Sequence, residues 1–277
     1  MRVQNLALIV FDLTEAEWLL PQAAVVARNL DAHLTVLHAY RPIFFYEGIG
    51  PEPMIFSTIG NWKEDSSARV RAIFGKEIAT NDIVAQYRDY SELYGAEEFV
   101  LSAGRAADIV LLGTNTAPFR SPDDRNLTER LVRNLGRPVL VLHPHAQCQA
   151  PFKRMMIGWS ETREATRAAH DALALAADQA QIEIVSVVPY IEDKFPAIDQ
   201  KADFAAALAR RGLTATMNER HASAADRVTS LIEEAESFKA DVIVAGAFGH
   251  SLLYDFVIGA VTRELLASCR YPLLLSH

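Results

Sequence analysis

The sequence predicts an α/β fold: two tandem copies of a five-stranded parallel-sheet, doubly wound domain of the nucleotide-binding kind. Short apolar runs bounded by turn residues alternate with segments of helical periodicity along the whole chain. Two landmarks recur in the same order at nearly the same separation. Ala107-Asp-Ile-Val-Leu-Leu-Gly113 answers to Ala240-Asp-Val-Ile-Val-Ala-Gly246, and Arg137-Pro-Val-Leu-Val-Leu-His143 answers to Tyr271-Pro-Leu-Leu-Leu-Ser-His277. The length, 277 residues, suits two domains of roughly 100–150 residues, each large enough to bury a core.

The first copy opens with Leu6-Ala-Leu-Ile-Val-Phe11, a continuous apolar run expected of a parallel strand covered on both faces, and it ends at Asp12. Asp12 reads as a helix-start cap. Thr14-Glu-Ala-Glu17 has capping-box spacing, and Trp18, Leu19, Val25, Val26 and Leu30 give the helix an apolar face. Leu34–Tyr40 is the second strand. Arg41 to Trp62, with Phe44, Phe45, Tyr46 and Phe56, reads as a long loop: a packed lid, a subunit contact or a ligand cover. Asp65–Ile78 then reads as helix, Ile83–Asp89 as strand and Glu92–Ala106 as helix, leading into the strand at 107–113. A last helix and the strand at 137–143 complete the copy.

Pro144 to Phe152 is short, polar and bracketed by prolines, and reads as the linker between domains at 1–145 and 151–277. The second copy repeats the order: strand Met155–Trp159, an Ala-rich helix over Glu164–Ala180 and strand Ile182–Val188. Helix Gln200–Arg211, strand Leu213–Arg220, helix Ala224–Lys239, strand Ala240–Gly246 and helix Val261–Arg270 follow, before the strand after Tyr271-Pro272. Strands alternating with helices require crossover connections and a mainly parallel sheet. Ligands of such sheets sit beyond the strand carboxyl ends, where strand order reverses.

Composition excludes several classes. Half the residues are hydrophobic, 22% are charged and the net charge is −8, with no Lys/Arg cluster interleaved with aromatics, so nucleic acid is not an expected partner. No apolar run reaches the length of a membrane span and no signal-peptide pattern opens the chain, which places the protein in the cytoplasm without a membrane partner. Cys148 and Cys269 imply no disulfide framework, and Cys269 reads as a buried small residue. His143, His145 and Cys148 are metal-ligand types lacking a fourth, so no metal site is expected. No nucleophile–base–orienter spacing appears, so no catalytic residues are assigned.

The most informative motif is Gly246-x2-Gly249-x9-Gly259, set between a strand-like and a helix-like run. Glycines allow a tight bend and close approach to an anion, and a helix opening at Gly259 would offer unpaired N–H groups and a positive dipole end. The alternative is that the glycines merely permit tight turns and packing.

These residues, with the Ala240-Asp-Val-Ile-Val lead-in and Tyr271-Pro-Leu-Leu-Leu, make the chain resemble a universal stress protein of the tandem type over both halves. The resemblance implies that the motif, normally closed by Ser or Thr after the third glycine, holds the phosphates and ribose of ATP or AMP, assisted by an Asp at the end of the first strand. Carried onto the second copy, it points to Gly246, Gly249, His250, Ser251, Gly259, Ala260, Val261 and Thr262, with Ser160 and Val188 at strand ends. Ser160 stands in place of the Asp and Ala260 in place of the hydroxyl, and Mg2+ coordination is left open. Losing the hydroxyl costs ~1.5–3 kcal/mol unless Thr262 or Ser251 substitutes. The first copy keeps Asp12. It lacks the second glycine, has Asn126-Leu127 in place of the third, and places Asp123 and Asp124 in the loop, so it is expected to bind no nucleotide.

Three functions follow as expectations. The first is a cytoplasmic stress-response protein that binds adenine nucleotide in its C-terminal domain and uses occupancy to regulate shape or partner choice. The second is a tandem pseudo-dimer acting as a protein interaction module without nucleotide. The third is a slow ATPase. The resemblance also implies that the edges 138–143 and 272–277 pair within the chain, with a homodimer as a further possibility.

Overall fold

The computed structural model describes residues 2–39, 53–90, 95–114, 122–188, 200–249 and 259–277, with backbone only for 53–63, 122–126 and 200. Two compact units emerge, residues 3–113 and residues 114–277.

In the first unit, β1 (Asn5–Val10) leads to α1 (Leu13–Leu30), β2 (His33–Ala39), α2 (Pro53–Asn81), β3 (Ala85–Tyr90), α3 (Ala96–Gly104) and β4 (Ile109–Gly113). The strands pair in parallel in the order β3-β2-β1-β4, so strand order reverses beside β1. Leu8, Ile9 and Val10 are wholly buried, the outcome their unbroken apolar run requires. The helix cap is Asp12, whose Oδ1 accepts the N–H of Glu15 at 2.7 Å, rather than the Thr14–Glu17 spacing.

The second unit contains α4 (Pro122–Asn134), β5 (Val139–Leu142), β6 (Phe152–Gly158), α5 (Arg163–Ala172), a 3-10 turn at Leu173–Leu175 and β7 (Ala176–Val188). It continues with α6 (Gln200–Ala209), β8 (Thr214–His221), α7 (Arg227–Phe238), β9 (Val242–Gly246), α8 (Ala260–Ser268) and β10 (Leu273–Ser276). Strand order is β5-β10-β9-β6-β7-β8. Every pair is parallel except β5–β10, where Leu140 faces Leu274 in antiparallel register. This pairing joins the two edges expected to meet.

Small residues set the helix-to-sheet distance. Ala165, Ala168, Ala169 and Ala172 of α5 are all buried, which lets that helix lie close on β9 and β10. Each sheet is also tied at the start of its first strand by an aspartate from the start of the fourth. Asp108 Oδ2 accepts the N–H groups of Gln4 and Asn5 at 2.9 Å, and Asp241 Oδ2 accepts those of Lys153 and Arg154 at the same distance.

Several expectations need correction. Residues 53–62 are helical rather than part of a loop, because α2 begins at Pro53, a residue suited to a first helical turn, and runs unbroken to Asn81. The rest of the aromatic segment, 41–52, lies outside the described residues. The α5 helix ends at Ala172 rather than near Ala180. The strand after it begins at Ala176, which pairs with Phe152, and Gln179 takes a left-handed φ of 61° that no helix interior tolerates. Asp123 and Asp124 belong to the first turn of α4 rather than to a loop. The segment at 144–152 is not uniformly solvated: Cys148 and Ala150 are buried.

Candidate functional site

The reversal of strand order in the second unit falls between β6 and β9, so the crevice beyond their carboxyl ends is where a ligand of this architecture would lie. The glycine bend leaves β9 at that point. Ala247 N–H donates to the Ser276 carbonyl at 2.8 Å, and Phe248 N–H donates to Thr262 Oγ1 at 3.0 Å. Phe248 adopts φ 57°, a left-handed conformation that costs a non-glycine residue roughly 1–2 kcal/mol. Burial of its ring, only 1% exposed, offsets that cost. Gly259, at φ 85°, opens α8 with no side-chain cap.

The chain itself surrounds the three glycines. A Cβ on Gly246 would meet the backbone of the first turn of α5, 2.7 Å from the Glu164 carbonyl carbon. On Gly249 it would lie 2.8 Å from Glu164 Oε2 and 3.2 Å from Thr162 Oγ1. On Gly259 it would lie 2.6 Å from the Phe248 ring. The bend therefore needs glycine in order to admit a helix backbone, a carboxylate and an aromatic ring. Above that ring sits a cation, the Arg133 guanidinium of α4, 3.7 Å from the ring centre. Its Nη2 would be 3.4 Å from a Cβ on Gly259.

The carboxylate governs the electrostatics. The Glu164 side chain is only 5% exposed and bonds to Arg163 Nε at 2.6 Å. Burial pushes its carboxyl up. The hydrogen bond from Arg163, its own backbone N–H and the charges of Arg163 and His277 outweigh that and hold it below the usual carboxylate range. At neutral pH a negative charge faces the bend. The first repeat has a related arrangement: Glu15, also buried, accepts the Phe11 N–H at 2.9 Å and packs its carboxylate against Gly113, the counterpart of Gly246 rather than of Gly249.

The residues singled out from sequence distribute as follows. Gly246, Gly249, Gly259 and Thr262 come together around Phe248; Ala260 is exposed at the start of α8, and Val261 is half-buried. His250 and Ser251 lie outside the described residues. Ser160 is exposed, its hydroxyl 3.2 Å from that of Thr162, which caps α5 through the N–H of Ala165. Val188 ends β7, one strand outward, paired with His221. Register refines the comparison of the repeats: Leu8 pairs with Leu111 and Ile157 with Val244, each two residues before Gly113 or Gly246. Counting forward, Glu161 rather than Ser160 corresponds to Asp12, and Glu164 corresponds to Glu15. Glu15 and Glu164 were missed as site residues, although the repeated pairs Glu15-Ala16 and Glu164-Ala165 were visible. His143 Nδ1 accepts the His145 N–H at 3.1 Å, and burial pushes the Cys148 thiol up to about 12.

The fold and bend define a doubly wound α/β protein of repeated units, and known proteins place it further. Residues 151–277 match the model of the Universal stress protein family. The fold is similar to that of a universal stress protein from Archaeoglobus fulgidus DSM 4304, with TM-score 0.71, 13% identity, and 98% of this chain and 95% of that one covered. It is also similar to that of a protein provisionally assigned to the family from Pseudomonas aeruginosa UCBPP-PA14, with TM-score 0.59, 14% identity, and coverage of 99% and 93%. No curated protein matches the chain. Residues 151–277 match the universal stress protein family, and the fold of the whole chain is that of the tandem proteins it resembles. No helix among the described residues is long and apolar enough to cross a membrane.

Proposed function

We propose that the protein serves the stress response in the cytoplasm as a protein interaction module, with the glycine bend of its second repeat closed by its own side chains instead of by nucleotide. The observation that carries this reading is the buried Glu164 carboxylate against Gly249. A phosphate charge about 4 Å from it is repelled by about 1–4 kcal/mol between the limits of bulk water and a protein surface. Arg163 lowers that figure, and the absent hydroxyl at Ala260 adds to the loss. The β5–β10 pairing occupies the edges that would otherwise recruit another chain, so partner binding in this reading falls to other surfaces.

A second reading keeps adenine nucleotide, ATP or AMP, at the bend in a regulatory role. Arg133 favours it, because a guanidinium beside the uncapped start of α8 is suited to an anion. In that case Glu164 either holds Mg2+ or moves aside. Slow ATP hydrolysis requires this second reading and fails with it. Calorimetric titration with ATP and with AMP, with and without Mg2+, separates the two, using Gly259→Trp as the blocked control. The first reading expects no saturable heat that Gly259→Trp removes. Heat from the unmodified chain that Gly259→Trp abolishes establishes the second.

A further inference from the structure

At the opposite end of the strands from the bend, a hollow of about 530 Å³ opens where β6, β9 and β10 begin. Its lining includes Lys153, Arg270, Tyr271, Glu236 and Asp241, all within one compact unit. Asp241 is already engaged, since its carboxylate accepts two backbone N–H groups, as Asp108 does in the first repeat. It therefore belongs to the scaffold that both repeats share.

The other charges are not shared. The landmark Tyr271-Pro corresponds to Arg137-Pro, so Arg270 stands where the first repeat has Gly136, and Lys153 stands where it has Gln4. Two cations have been placed at one hollow in a chain whose net charge is −8, at positions the fold fills elsewhere with uncharged residues. Burial, then the Glu236 charge, push the Tyr271 phenol up, which keeps its hydroxyl protonated as a donor. Burial, then His145, then the Arg270 charge, lower the His143 pKa, so the cationic field extends to the neighbouring segment.

We propose that this hollow is a binding site for a small organic or inorganic dianion, a dicarboxylate or a phosphate group, held by Lys153 and Arg270 with Tyr271 donating. The volume lies within the usual range for small-molecule sites, and its few convergent polar groups suit orientation of a small ligand. Glu236 and Asp241 are the opposing charges and limit affinity for purely anionic ligands.

Titration of the full chain with succinate and with inorganic phosphate, in separate arms and in a buffer free of polyvalent anions, tests the site by two-dimensional NMR. Saturable shifts are expected for residues lining the hollow, in the millimolar range and weakening as salt rises. Lys153→Ala and Arg270→Ala should each weaken binding about tenfold. Glu236→Gln should strengthen it, a change of sign that a general loss of structure does not produce. Shifts with only one probe identify which of the two anion types is taken. The site is overturned if neither probe saturates, or if binding is unchanged in both cation variants. The site is independent of the bend, so Gly259→Trp leaves succinate and phosphate binding there unchanged.

Discussion

Glu164 Oε2 lies 2.8 Å from the position a Cβ would occupy on Gly249, so the second glycine of the bend makes room for a carboxylate from the same chain. Replacing Glu164 by Gln removes the charge while keeping the shape. If the carboxylate is what excludes phosphate, ATP affinity should rise by tenfold or more in Glu164→Gln, and calorimetry reads the gain directly. Equal absence of binding in both proteins would assign the closure to Phe248 and the packed first turn of α5.

Gly246 faces backbone, and backbone cannot rotate away. Gly246→Ala should therefore destabilise by about 1–3 kcal/mol through overpacking against α5. Gly136, at φ 66° with open space around its Cβ position, provides the contrast: Gly136→Ala should cost only about 1 kcal/mol of conformational strain. Urea denaturation ranks the two. The reverse order would mean that the α5–β9 contact is looser than described.

The sequence made the strand–helix order legible because buried parallel strands are unbroken apolar runs, as in Leu6–Val10 and Val242–Ala245. It misplaced the start of α2, since aromatic residues and Gly60 obscure helical periodicity, and it overextended α5, where an alanine-rich run continues past the residue at which pairing with Phe152 begins. At the bend, glycine spacing identified a place of close approach without revealing what approaches. Glu164 comes from the start of a distant helix, and only folding places it beside Gly249. Arg133 was equally hidden, because its partner Phe248 is remote in sequence.

The Arg133 contact is testable alone. Removing the guanidinium from above Phe248 in Arg133→Ala should cost about 0.5–2 kcal/mol, the usual range for cation–π contacts. Arg133→Met, which keeps an apolar stem over the ring, should recover part of it. The Arg263–Glu129 pair, Nε to Oε2 at 3.0 Å between α8 and α4, should contribute less than about 1 kcal/mol in a double-mutant cycle and fade with salt.

His38 sets a pH dependence. Burial lowers its pKa to about 4 from an ordinary 6.5, against the opposing pull of Asp89 and Asp12, while Nδ1 lies 2.7 Å from the Tyr87 hydroxyl. The folded chain thus holds it neutral while the unfolded chain protonates first. This contribution is fully present above pH 6.5 and is lost as pH falls from 6.5 towards 4, by about 3 kcal/mol in total. Chemical denaturation across that window should show the slope, and His38→Phe should flatten it.

The most direct test of the proposed closure is the small-molecule content of the protein itself. Purified protein, denatured and filtered, should release no stoichiometric adenine nucleotide by mass spectrometry, because the Glu164 carboxylate and the Phe248 ring pack against Gly249 and Gly259. Recovery of ATP, ADP or AMP near one equivalent, lost in Gly259→Trp, would contradict that claim and establish the bend as an occupied nucleotide site.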